Sequence, residues 1–240
     1  MRILCLHGTA INNTIFQSKT EKLRSFLPPD YSFEWFEGNF TIVPQQELAD
    51  VFPGPYLTYI DLLSTDRIAR ALARIEEFIE DEGPFDGVMG VSEDVFGLII
   101  GDNPLSTDAA DWQYQSKYAQ LCQEPLKDSP ARVLADMFPT WRKRRELLVS
   151  LVQDPEKGYM RPRCFHPDLH DERINIPTAH VWGSTDLFKP HAQQLVRLCD
   201  ESLAATYEHS GDHDTPTKLE ENRMLAQIVQ KTIMRSKFSI

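Results

Sequence analysis

No part of this 240-residue chain runs to the roughly 18 consecutive apolar residues that a membrane-spanning helix needs. Cysteine is scarce. The four present (Cys5, Cys122, Cys164 and Cys199) show neither the spacing of metal ligands nor the pairing framework of a disulfide-stapled domain. Glycine is sparse too, at eleven residues, and builds neither a phosphate-cradling loop nor a dinucleotide fingerprint. Internal repeats and low-complexity tracts are missing. Positive charge is in deficit: 25 Lys and Arg against 36 Asp and Glu give a net charge of −11. Without a basic stripe, nucleic acid and anionic membrane are poor partners. Arg142-Lys-Arg-Arg145 reads as a solvated helix end, not a docking patch. His166, Asp168, His170 and Asp171 invite a metal reading, but the prolines and charges around them fit an ordinary loop and no other ligand cluster joins them. No metal and no cofactor is expected. Residues 1–8 already read as strand, which leaves no room for a cleaved leader and makes the cytoplasm the expected compartment.

What is present alternates. Hydrophobic residues make up 41% of the chain, enough for a sizeable core in one α/β domain spanning 1–240. Apolar strand-like segments fall at Ile3–Leu6, Tyr31–Glu37, Gly87–Val91, Glu146–Val152, Thr178–Gly183 and Ala205–Glu208. Helical patterns fall at Gln17–Leu27, Asp66–Glu82, Val95–Ile100, His191–Leu203 and Thr217–Ile233. Along Asp66–Glu82, Ile68, Leu72, Ile75, Phe78 and Ile79 share one face and should meet the core. This order predicts a mainly parallel, doubly wound sheet, with Ile3–Leu6, Gly87–Val91, Leu147–Val152 and Ala179–Trp182 as central strands. Residues 38–64 are irregular and aromatic-rich, readable either as a loop anchored by its aromatics or as the wall of an apolar pocket. Residues 102–145 are too long for a connector and stand where a helical lid over a site would stand.

The densest chemical signal is Phe85-Asp-Gly-Val-Met-Gly-Val-Ser92, an apolar run that delivers a glycine and then a serine before the next helix. A strand–turn–helix with serine at its apex resembles the nucleophile elbow of α/β-hydrolases, G-x-S-x-G, although Asp94 replaces the final glycine. That fold requires the chain order serine, acid, histidine. Asp186 follows the strand that ends at Gly183, and His213 follows the strand Ala205–Glu208, so both stand just past strand ends. Either alone reads as a helix cap or a surface loop residue; with Ser92, the three in order read as a catalytic triad. At the amino terminus, Ile3-Leu-Cys-Leu-His-Gly8 breaks into a loop; in hydrolases of this class that loop and the residue after the nucleophile offer N–H groups to the oxyanion, which implies Thr9 and Glu93 as the donors here. His7 reads as a buried residue that pins this loop by hydrogen bonds.

These segments, with His180-Val-Trp-Gly-Ser-Thr-Asp186, Gly211-Asp-His213 and Pro216, span nearly the whole chain and resemble the FSH family of small serine hydrolases. Fungal members of that family include thioesterases that release polyketides from their synthases. The resemblance implies an α/β-hydrolase fold with Ser92 as nucleophile, Asp186 as orienting acid and His213 as general base. It implies an esterase or thioesterase of secondary metabolism acting on a small hydrophobic acyl substrate, which a carrier protein can present. Two departures stand out. The family's Ser-Gln-Gly-Ala is Ser92-Glu93-Asp94-Val95 here, and its Gly-Gly-His is Gly211-Asp212-His213. A carboxylate about 4 Å from a developing oxyanion costs about 4 kcal/mol at an effective dielectric near 20. Glu93 and Asp94 therefore either point to solvent and complement the helix dipole or modify the pocket. In the second case a hydrolase fold redirected to cyclase, isomerase or lyase chemistry is the alternative reading.

Overall fold

A computed structural model describes residues 1–44, 46–60, 65–91 and 173–238. The expectations that fall on 92–172 lie outside the described residues. They include the helix Val95–Ile100, the insertion 102–145, the strand Glu146–Val152 and the His166–Asp171 cluster.

β1 (Arg2–Leu6) is flanked by parallel partners on both sides. Its Ile-Leu-Cys-Leu core is buried throughout, as befits a strand covered on both faces. Its neighbours are β2 (Ser32–Phe36) and β5 (Gly87–Gly90), in the order β2-β1-β5. Alternation along β1 divides the core. Ile3 and Cys5 face Ile15 and Phe16 of α1 (Asn13–Ser25), whereas Leu4 and Leu6 face Ala71 and Ile75 of α3 (Thr65–Glu82). Helices thus cover both faces of this sheet. Each Leu or Ile buried there contributes about 1.5–3 kcal/mol. Between β2 and α3, β3 (Phe40–Thr41) and β4 (Leu57–Thr58) form an antiparallel pair, with the single turn α2 (Gln46–Ala49) between them.

A second parallel pair, β6 (Thr178–Gly183) and β7 (Ala204–His209), is joined by α4 (Lys189–Arg197). The final helix, α5 (Leu219–Phe238), lies against α1 through Leu23, Leu27, Leu225 and Ala226, and Met89 and Tyr207 pack onto the same cluster. Both parallel sheets therefore share one helical layer.

Several boundaries differ from the sequence reading. α1 starts at Asn13 because the Asn12 side chain accepts the Ile15 N–H at 2.9 Å and caps the helix. α4 ends at Arg197, short of Leu203, because Asp200 turns the chain by accepting from the backbone and hydroxyl of Ser202. The last helix runs from Leu219 to Phe238, later at both ends than expected. Ile79 is 40% exposed at the flank of the α3 core face. Val88, expected in a buried strand, is 64% exposed. The irregular segment 38–60 is anchored: Tyr59 is buried in the core, and Tyr56 and Phe52 pack against the Ile11–Ile15 cluster. No described helix is long and apolar enough to cross a membrane.

Candidate active site

Two loops at strand ends meet through an acid and a base. β6 stops at Gly183, where a side chain would strike the backbone of the neighbouring loop: a Cβ would stand 2.3 Å from the carbonyl oxygens of both Gly211 and Asp212. Glycine lets that loop close down, and the two are laced together. Ser184 N–H donates to His209 O at 2.8 Å, and the Thr185 hydroxyl donates to Gly211 O at 3.0 Å. The chain then turns through Asp186, whose Oδ1 accepts the Phe188 N–H at 2.7 Å, an Asx-type turn that leads into α4.

His213 faces this carboxylate. Its Nδ1 lies 3.0 Å from Asp186 Oδ2 and 3.1 Å from Oδ1. An ionised carboxylate only accepts, so Nδ1 carries the hydrogen and Nε2, across the ring, is the basic nitrogen. The Asp186 side chain is 7% exposed and that of His213 36%, which puts the acid inside and the base at the surface. Burial pushes the Asp186 carboxyl up, but the His213 hydrogen bond and the Phe188 N–H outweigh it and hold the group below its ordinary value. Asp186 therefore stays ionised beside the imidazole.

The His213 loop is held from below and behind. His209, buried at the end of β7, accepts the Gly211 N–H on Nδ1 at 3.1 Å. Glu221 of α5 accepts the Ser210 N–H at 3.0 Å, and Asn222 donates to Pro216 O at 2.6 Å. From α1, Lys19 pairs with Asp214 and Lys22 donates to Thr217 O at 2.8 Å. Asp212, the departure from Gly-Gly-His, accepts the His213 N–H at 2.8 Å and so braces the turn locally. None of these supports was read from the sequence. Lys19 and Lys22 act from a helix 195 residues earlier in the chain, and only Asp212 stood out locally.

The loop after β1 is fixed on both sides of Thr9. His7 is fully buried and stacks on Tyr59 with ring centroids 4.7 Å apart. Its Nε2 accepts the Gly38 N–H at 2.9 Å, and Nδ1 lies 2.8 Å from Gly8 O. Glu37 Oε1 stands 3.3 Å from the same Nε2. That contact is no ion pair: burial lowers the proton affinity of His7, and the nitrogen lone pair is already engaged by Gly38. His7 is the buried pin that the sequence reading describes. Beyond Thr9, Ala10 holds a left-handed φ of 64° while its N–H donates to Leu57 O at 2.9 Å. A non-glycine residue in that region costs about 1–2 kcal/mol, so the loop shape is imposed by its surroundings. β5 leaves the sheet beside this loop, because Gly90 pairs with Leu6.

Asp186 and His213 are thus brought together, and Thr9 stands on its own braced loop. Ser92, Glu93 and Asp94 lie outside the described residues. Among those residues, no group of three His, Cys, Asp or Glu side chains could hold a metal ion.

Comparison with known proteins adds independent findings. The family model described as "Serine hydrolase (FSH1)" matches residues 1–94 and 143–225, a span that contains Ser92, Asp186 and His213. Esterase alnB of Emericella nidulans is 25% identical over 281 residues, covering 98% of this chain and 97% of its own. Hydrolase FUB4 of Fusarium oxysporum f. sp. lycopersici is 24% identical over 265 residues, covering 98% of this chain and 99% of its own. Esterase FPY3 of Fusarium mangiferae is 24% identical over 244 residues, covering 98% of each chain.

Proposed function

The chain belongs to the serine hydrolase (FSH1) family and is an esterase-type enzyme, and we propose that it cleaves or transfers the acyl group of an ester or thioester of a hydrophobic metabolite, in secondary metabolism. The observation that carries this reading is the Asp186–His213 pair, a buried carboxylate on Nδ1 of a surface imidazole. In this mechanism His213 Nε2 takes the Ser92 Oγ proton as Oγ attacks the acyl carbonyl carbon. The C=O π pair moves onto oxygen, which the Thr9 and Glu93 N–H groups receive. The tetrahedral species collapses, the C–O or C–S bond to the leaving group breaks, and His213 returns the proton to that group. Water then repeats the sequence on the acyl-enzyme and releases the acid; an alcohol, amine or thiol in its place completes transfer. Asp186 holds the tautomer throughout and balances the imidazolium.

The α/β-hydrolase fold, as one domain with residues 102–145 as a helical lid, is part of the same proposal. The parallel sheets support it, as does the family match, which omits residues 95–142. The substrate is a small hydrophobic acyl compound, presented free or on a carrier protein. Asp94 in place of the elbow glycine favours a second reading, a cyclase, isomerase or lyase in which Asp94 supplies the acid or base. One experiment separates the two. A fluorophosphonate probe should label Ser92, and Ser92→Ala should lose turnover by roughly 10³-fold or more. Full turnover in Ser92→Ala, with loss in Asp94→Asn, would establish the second reading instead.

A further inference from the structure

α4 begins on an unfavourable residue. Phe188 occupies its N-cap, where Ser, Thr, Asp or Asn normally satisfies a free N–H, and its side chain makes no capping hydrogen bond. A local preference given up beside a site points to a role elsewhere. The ring of Phe188 packs against the imidazole of His213 with centroids 4.5 Å apart and planes inclined by 54°. Its backbone N–H is the donor that fixes Asp186 Oδ1 at 2.7 Å. One residue therefore touches both members of the pair, the acid through its main chain and the base through its ring.

The chemistry explains why an aromatic ring suits this place. On the catalytic reading above, on which this inference rests, His213 is neutral at rest and cationic in each tetrahedral species. An aromatic face attracts a cation within about 6 Å of its centroid and neither donates nor accepts the proton in transit. A carboxylate in the same position would compete with Asp186 for the ring, and an aliphatic side chain would fill space without favouring the charged form. We propose that Phe188 is a positioning residue for this hydrolase: it orients Asp186 through its N–H and supports the His213 imidazolium with its ring.

The test compares Phe188→Met and Phe188→Leu, which fill the space without a π face, with Phe188→Tyr, which keeps one. The readouts are the pre-steady-state acylation rate on p-nitrophenyl esters, the labelling rate of Ser92 by a fluorophosphonate, KM and the thermal midpoint. The Met and Leu variants should acylate about three- to tenfold more slowly with KM unchanged, while Tyr stays within about twofold of wild type. Should Leu fail to fold, Met carries the comparison. Wild-type acylation in Met or Leu overturns the inference. So does a change confined to KM or acyl-length preference, because the ring is then a substrate wall. A wild-type chain that the probe does not label refutes the triad, and this inference with it. A labelled wild type with an unaffected Met variant refutes this inference alone.

Discussion

Replacing Gly183 by alanine is the sharpest test of how the site is assembled. The added Cβ would lie 2.3 Å from the carbonyl oxygens of Gly211 and Asp212 and 2.7 Å from the Gly211 carbonyl carbon, against an ordinary contact of 3.4 Å or more. Roughly 1 Å of displacement is required, and the obstruction is main chain, so no rotamer change relieves it. The strand side resists, because six residue pairs hold β6 in register with β7 and Trp182 is buried. The shift therefore passes into 210–213. Added to a His213–Asp186 separation of 3.0 Å, it takes the pair beyond hydrogen-bond range. Misplacing a catalytic group by 1 Å costs about 10²-fold, and losing the oriented tautomer altogether costs about 10⁴-fold. Gly183→Ala should thus lower kcat/KM on p-nitrophenyl esters by about 10²- to 10⁴-fold and stability by about 1–3 kcal/mol in urea unfolding. Gly211→Ala is the graded control. There a Cβ meets only the His209 ring, at 3.0 Å, which an imidazole can yield by a few tenths of an ångström. A folded Gly183→Ala enzyme with wild-type kcat/KM, or one less impaired than Gly211→Ala, would refute the reasoning.

Asp186→Asn should fold and lose about 10⁴-fold in kcat, as when the orienting acid of a triad no longer sets the tautomer. Because the folded-state affinity of Asp186 for a proton is depressed, its stabilisation is complete above the ordinary carboxylate value near 4 and lost as pH falls through the lower folded one. The stability gap between wild type and this variant, followed by thermal melts, should therefore shrink only below about pH 4. His7→Ala strands the Gly38 N–H and leaves a cavity against Tyr59, at a cost of about 2–4 kcal/mol near pH 8. Since burial keeps His7 neutral, wild type loses this advantage as pH drops below about 6.5, and urea titrations across pH should show the gap narrowing. Tyr59→Phe removes a hydroxyl that accepts from His7 N–H at 2.8 Å and donates to Phe36 O at 2.9 Å, costing about 1–3 kcal/mol by urea unfolding. Cys5, with its thiol pushed up to about 12 by burial, should resist iodoacetamide at pH 8 until the chain is unfolded, as mass spectrometry of the labelled peptide would read.

The parts of the fold legible in sequence are those that local pattern dictates. β1 and β6 are short and end at residues that break a strand, so their ends also located the Gly8 loop and Asp186, as the end of β7 located the approach to His213. α4 was misjudged because Leu198, Cys199 and Leu203 continue a helical apolar spacing, while Asp200 reverses the chain by a hydrogen bond no periodicity records. The start of α1 could have been read from Asn12, whose carboxamide is a capping group in plain view. His209, Glu221, Asn222, Lys19 and Phe188 were beyond reach for another reason. Each supports the His213 loop or its acid only after the chain has folded, and nothing in spacing says which buried imidazole or helix-end carboxylate meets which turn.

One helix ties the two described parts of the site together. α1 is capped by Asn12, whose amide also donates to Pro55 O at 2.7 Å, and it begins directly after the loop that carries Thr9. Farther along, Lys19 and Lys22, three residues apart and so on one face, hold Asp214 and Thr217 beyond His213. The Thr215 hydroxyl returns a bond to Lys19 O at 3.0 Å. An exposed ion pair alone contributes about 0–1 kcal/mol, too little to fix a loop. The strength lies in repetition: three contacts fasten one loop to a rod whose opposite end is capped against the other. A helix transmits position almost without compliance over a few turns, because every main-chain group inside it is already bonded. The distance between the Thr9 loop and His213 is therefore set by the length of α1 and by its apolar seat on Ile3, Cys5, Leu225 and Ala226. On the proposed mechanism, that seat is as much a part of the active site as the residues that would touch the proton.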